Sequence, residues 1–180
     1  MSGARPGAIV RAYGELVPRL HARAWIAPGA AIVGDVEIGA DSSVFYGSVL
    51  RGDVHHIRIG ERTNVQDQAT IHVTTDRFPT LLADEITVGH RAVVHGCRVA
   101  EGALIGIGAI VLDGAEIGEN ALVAAGTVVR PGQIVAPETL VAGVPAKPVR
   151  SLRPEEIALQ RERTLTYVET ARRHAASTEV

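Results

Sequence analysis

Aromatic residues make up only 3% of the 180 positions, and the chain holds one methionine, one tryptophan and one cysteine. A core of interlocking rings is therefore excluded, and the 46% apolar content must pack through small and β-branched side chains. The single Cys97 excludes an internal disulfide and fits a reducing compartment. Long hydrophobic runs are missing too: the most apolar stretch, Ala103 to Leu112, is interrupted by glycines and far short of a bilayer span. Met1 to Arg11 contains Pro6 and two arginines and lacks the apolar run of a secretory leader. Nor is there charge of one sign, with 18 Lys and Arg against 20 Asp and Glu. Such a balance draws in neither nucleic acid nor an anionic membrane. The expectation is a soluble, cytoplasmic protein with no nucleic-acid or membrane partner.

What is present is a repeat. Aliphatic residues recur every sixth position at Ile26, Ile32, Ile38, Val44 and Leu50. The spacing resumes at Ile59, Val65 and Ile71, and runs again from Val93 through Val99, Ile105, Val111, Ile117, Val123, Val129 and Val135 to Val141. Four residues after each of the first six of these stands a small residue: Cys97, Ala103, Ala109, Ala115, Ala121 and Thr127. Six residues turn a helix through about 600° and scatter the apolar set, whereas a strand keeps positions i and i+4 on one face. Each unit is thus a short strand that buries its apolar side only by stacking on its neighbours, about 4.8 Å apart, as in a parallel β-helix of hexapeptides.

Three breaks interrupt the period. Nine residues separate Leu50 from Ile59, so three extra residues bulge out near Val54, His55 and His56. Seventeen separate Ile71 from Val88, with a polar stretch from Thr74 to Asp84 read as an external loop, and five separate Val88 from Val93. After Lys147 the pattern changes. Pro154, Glu155 and Glu156 mark a helix start, and Ile157, Leu165, Val168 and Ala171 or Ala175 supply an apolar stripe expected to lie against the outside of the solenoid or a neighbouring subunit. The organisation expected is an N-terminal segment, 1–23, a β-helix, 24–149, and a C-terminal helical segment, 150–180.

All three breaks lie near histidines. His90 and His95 each stand two residues after an aliphatic position, Val88 and Val93, and His72 follows Ile71 one coil earlier. Three clustered imidazoles point to a divalent metal with a coordination position left open, the arrangement that keeps zinc electrophilic.

The strings Leu50-Arg51-Gly52-Asp53, Thr63-Asn64-Val65-Gln66-Asp67, Val88-Gly89-His90, Val94-His95-Gly96-Cys97, Leu104-Ile105-Gly106-Ile107-Gly108-Ala109 and Gly143-Val144-Pro145-Ala146-Lys147 resemble the γ-class carbonic anhydrase family over almost the whole chain. The repeat and the Gly-Val-Pro-Ala-Lys ending are shared with hexapeptide acyltransferases. The resemblance implies a mainly β fold, a left-handed parallel β-helix with a C-terminal helix, closed into a homotrimer with metal sites between subunits. It implies His72 and His95 from one chain and His90 from its neighbour around Zn2+, with Fe2+ or Co2+ also suited to imidazole. The reaction implied is reversible hydration of carbon dioxide to bicarbonate by metal-bound hydroxide. Arg51 and Asp53 resemble an ion pair at the subunit boundary, Gln66 an amide beside the metal, and Asn64 its neighbour in a polar patch. Tyr167, on the terminal helix, is placed to reach the pocket.

The sequence departs from that pattern in its acids. Asp53 is followed by Val54, and His72 by Val73, Thr74 and Thr75, where some active members carry glutamates that pass protons. His55 and His56 offer a replacement relay, since imidazole titrates in the right range. Two further readings stand beside the enzyme: a catalytically weak or inactive binding or assembly module of the same family, and a hexapeptide acyltransferase that needs no metal.

Overall fold

The computed structural model of the protein describes residues 7–177. Strands of two or three residues dominate it, and in most an outward side chain alternates with a buried one, as in Leu104–Ile105, Ile110–Val111 and Glu116–Ile117. Each pairs in parallel with the strand 18 positions later: Leu104 with Leu122, Ile110 with Val128, Glu116 with Ile134. Three hexapeptides therefore make one coil with three faces. About seven coils stack into a left-handed parallel solenoid, an exception to the right-handed rule for parallel crossovers.

The stack sorts the core into columns. Ile32, Leu50, Ile71, Val94, Val111 and Val129 sit above one another by register and are wholly buried. Val44, Val65, Val88, Ile105 and Val123 form a second column, and Ile59, Leu82, Val99 and Ile117 a third. Ala103, Ala109, Ala115, Ala121 and Thr127 fill the corners, where only small side chains fit. Each buried aliphatic contributes roughly 1.5–3 kcal/mol. Exposed ion pairs between coils, such as Arg23 with Asp41, contribute about 0–1 kcal/mol each. The columns hold the solenoid together.

The register differs from the sequence reading at one coil. Val94, not Val93, enters the core, because Val94 pairs with Ile71 and Val111. The five-residue step thus falls between Val94 and Val99 rather than between Val88 and Val93. A second difference concerns the external loop. Thr80–Leu82 is a strand that pairs with Ile57–Ile59 and with Arg98–Val99, so the excursion ends before Thr80. The three-residue bulge at 54–56 is present: Val36 pairs with Ile57 although Gly34 pairs with Gly52.

Parallel stacking begins early, with Ile9–Arg11 and Arg19–Leu20 both laid on Ala31–Ile38. At the other end Lys147–Ser151 pairs antiparallel with Thr139–Ala142 and turns the chain back. The helix Pro154–Ala176 follows, with Arg153 as its N-cap and Glu156 accepting the Arg153 backbone N–H at 2.9 Å. It runs back across the coils, touching Gly102 through Gln160, Thr87 through Thr164, Phe45 through Tyr167 and Trp25 through His174. Its buried face is Gln160, Thr164 and Ala171, while Leu165 is 42% exposed. Of the apolar stripe expected there, Ala171 is buried and Ile157 and Val168 are half-buried, while Leu165 and Ala175 face outward; a polar seam of Gln160 and Thr164 joins it, because the corners under the helix present backbone carbonyls that demand donors. Gln160 Nε2 meets the Gly102 carbonyl at 2.6 Å. No described helix is long and apolar enough to cross a membrane.

Candidate metal centre

His72 and His95 occupy equivalent places on adjacent coils, one residue after the paired core positions Ile71 and Val94. Stacking brings His72 Nδ1 to 3.0 Å from His95 Nε2. Behind each imidazole stands a carboxylate. Asp53 Oδ1 lies 3.1 Å from His72 Nε2, and Asp113 Oδ1 lies 2.6 Å from His95 Nδ1. Asp113 in turn accepts a hydrogen bond from Thr74 Oγ1 at 2.8 Å. Gly96, with φ 56°, makes this approach feasible, since a Cβ there would lie 2.3 Å from Asp113 Oδ1. Any larger residue would push the carboxylate off the ring.

Burial holds the His72 imidazole below its usual range, with the Asp53 bond opposing, which favours the neutral ring that binds metal. Burial raises the Asp53 carboxyl, but the Arg51 and His72 bonds outweigh it and the net shift is downward. The Arg51–Asp53 pair expected from the sequence is present, and its carboxylate also lies against His72.

His90 stands apart, just after the strand Thr87–Val88 on the second sheet. The equivalence with His95 expected from spacing does not hold, because the shift to Val94 pairs His95 with His72 instead. Among the described residues no three metal-binding side chains converge within one chain. Yet His90 is built like the others, with Nδ1 2.8 Å from Asp67 Oδ2. Nearby, Gln66 and Asn64 are 5% and 1% exposed, and Gln66 Nε2 donates to Asn64 Oδ1 at 3.2 Å. Tyr167 is hydrogen-bonded to Gln66, and burial together with the Asp67 charge raises its phenol, so it stays protonated. Gln66, Tyr167, Gly89, Ile107 and Arg163 line one cleft of about 240 Å³.

His55 and His56 bind each other, Nδ1 to Nδ1 at 3.1 Å, and among the described residues no hydrogen bond links either ring to His72, His90 or His95. Burial pushes the Cys97 thiol up to about 12, which removes it as a nucleophile.

The donor set fits a tetrahedral cation. Each of the three histidines has one ring nitrogen committed to an aspartate, leaving the other as a ligand atom, the usual carboxylate–histidine–metal arrangement. Two nitrogens at zinc distance from a tetrahedral centre lie about 3.3 Å apart, against the 3.0 Å between His72 and His95. Asp113 and Asp67 are the residues that motif reading passed over. The signal for Asp113 is the coil length: it follows His95 by 18 positions, one full coil.

The carbonic anhydrase of Geobacillus kaustophilus is 42% identical over 164 residues, which is 91% of this chain and 90% of that protein. Gamma carbonic anhydrase 2, mitochondrial, of Arabidopsis thaliana is 41% identical over 88% of this chain. The chain belongs to the γ-class carbonic anhydrase family. It spans about three fifths of the length of that plant relative, 59%. Residues 96–131 also match the family described as Bacterial transferase hexapeptide (six repeats). A crystal structure of a hexapeptide transferase family protein from Anaplasma phagocytophilum shares 37% identity at a TM-score of 0.87, covering 91% of this chain and 96% of that one. The chain thus shares its coil with a hexapeptide transferase family protein as well as with carbonic anhydrases.

Proposed function

We propose that three copies of the chain assemble so that His72 and His95 of one subunit and His90 of the next hold a divalent cation, zinc in the first instance, and that the trimer hydrates carbon dioxide reversibly to bicarbonate. Fe2+ or Co2+ suits the same donors. The observation that carries this reading is the matched backing of all three imidazoles by Asp53, Asp113 and Asp67, split between two sheets of one subunit. A lone surface histidine needs no such backing. When bound, the cation acidifies water and so supplies a nucleophile near neutral pH.

The chain's own residues do the rest. Asp53, Asp113 and Asp67 fix the ring orientations and raise the basicity of the ligand nitrogens. Gln66 offers its amide to the nucleophile, and its fixed position aims a lone pair at the carbon of carbon dioxide. Tyr167 closes the same cleft with a neutral hydroxyl. The buried free thiol fits a reducing compartment such as the cytoplasm.

The test is anaerobic purification, metal analysis and a hydration assay on one sample. Stoichiometric metal with hydration lost in His90→Ala supports the proposal; a monomer in solution, or hydration that survives His90→Ala, refutes it. A second reading, a family member kept for binding or assembly, is favoured by Val54 and Val73 standing where glutamates would pass protons. It wins if the metal-loaded trimer hydrates no carbon dioxide. Acyl transfer that persists after chelation would instead support the transferase reading.

A further inference from the structure

Five buried residues connect the cleft to the C-terminal helix, and the hydrogen bonds between them run in a single direction. Gln66 Nε2 lies 3.2 Å from Asn64 Oδ1, Asn64 Nδ2 lies 2.8 Å from Thr87 Oγ1, and Thr87 Oγ1 lies 2.8 Å from Thr164 Oγ1. Thr164 Oγ1 lies 3.0 Å from the Gln160 carbonyl. Gln66, Asn64, Thr87, Thr164 and Gln160 are each 7% exposed or less.

The helix end is anchored by a group that can only accept. The Gln160 carbonyl takes the single hydroxyl proton of Thr164, so Thr164 must accept from Thr87. Thr87, having given its proton to Thr164, must accept from Asn64. The Ile86 carbonyl, which already takes the Asn64 backbone N–H at 2.8 Å, lies 3.4 Å from Asn64 Nδ2; as an acceptor it would repel Oδ1 there, which favours that amide the same way round. Asn64 then presents its oxygen to Gln66, which has to answer with Nε2. The second Nε2 hydrogen is accounted for by Tyr167, whose phenol the Gln66 bond lowers as a donor would, so what remains for the cleft is the Gln66 carbonyl oxygen.

We propose that Thr87 and Thr164 are positioning residues that lock the Gln66 amide with its oxygen toward the cleft, so that Gln66 accepts the O–H of the nucleophile rather than donating to it. The C-terminal helix thereby sets the polarity of a side chain in the cleft. This rests on the reading of Gln66 as the group beside the nucleophile. The lock itself is a property of the fold and is testable without it.

The experiment uses the full-length, metal-loaded protein with its four glutamines labelled at the side-chain nitrogen, the Gln66 signal being identified by its loss in Gln66→Glu. In the native protein one Gln66 amide proton exchanges slowly, against the exposed Gln68. Thr164→Val shifts the Gln66 amide pair and speeds that exchange, and Thr164→Ser restores both. In the same samples kcat for hydration falls roughly tenfold in Thr164→Val at unchanged metal content and KM, and recovers in Thr164→Ser. An unmoved Gln66 signal in Thr164→Val, or a failure of serine to restore it, overturns the lock. Should Thr164→Val fail to fold, fast exchange of both Gln66 amide protons in the native protein overturns it equally. A native protein without hydration activity but with the expected Gln66 signals sinks the enzyme reading and leaves the lock standing.

Discussion

On the edge that carries His72 and His95, the two rings are held by carboxylates from coils immediately before and after, Asp53 and Asp113. On the edge that carries His90, one carboxylate, Asp67, stands beside it, and the amides nearby are tied through buried hydroxyls to a helix contributed from the far end of the chain. The first half of the candidate centre forms whenever the coils stack. The second half also needs the helix docked. Damage to the first should therefore appear as lost metal, and damage to the second as lost turnover with metal retained.

The sharpest way to break this comparison is complementation. His95→Ala and His90→Ala trimers are each expected to be inactive, while mixed trimers of the two regain activity, about a quarter of native under statistical mixing at cyclic interfaces. No recovery, measured by hydration of refolded mixtures, would place both halves in one subunit. Next in size is Asp113→Asn, expected to weaken metal binding about 10- to 100-fold by freeing the His95 ring, as read by competition with a chromogenic chelator. Metal affinity equal to native would remove Asp113 from the centre.

A smaller effect concerns Asp53. Its carboxyl titrates below the usual range in the folded chain, so the stability it adds is present above the unfolded value of about 3.9 and lost as pH falls through the folded value. Metal-free Asp53→Asn should be less stable than native by about 1 kcal/mol at pH 7, a figure held down by the solvent around half-exposed Arg51. Urea melts should show that deficit shrinking below about pH 4; a deficit constant with pH would detach Asp53 from this account. The smallest effect is expected for a His55→Ala, His56→Ala double variant. Because these rings bind each other, hydration at low buffer should be unchanged, and a marked fall would instead establish them as the proton relay.

The solenoid was legible in the sequence because one six-residue rule repeats often enough to outweigh local exceptions. Ile105, Val111, Ile117 and Val123 are buried where the period puts them. The rule failed where two valines stand together: the sequence offers Val93 and Val94 equally, and only pairing with Ile71 selects Val94. The three histidines were visible as a cluster, and the family resemblance paired His72 with His95, but spacing alone set His95 beside His90, since a one-residue slip on a strand turns a side chain to the other face. Asp113 was invisible to motif reading because its partner lies one coil away. The helix start was written in Pro154 and Glu156 and Ala171 was placed on the buried face, whereas the polar part of that face was missed, since Gln160 and Thr164 read as surface residues until the carbonyls beneath them are known.

The way the helix retraces the solenoid makes it a ruler. From Thr164 to His174 it advances ten residues, about 15 Å at 1.5 Å each, and its contacts step from Thr87 to Trp25 across three coil spacings, about 14 Å. The two lengths agree, so every contact finds its coil. Duplicating an 18-residue coil between Trp25 and Thr87 would leave the faces aligned but outrun the ruler by about 4.8 Å, roughly three helical residues. Growth of this architecture in that region must therefore come in paired increments, a coil in the body and close to one turn in the tail.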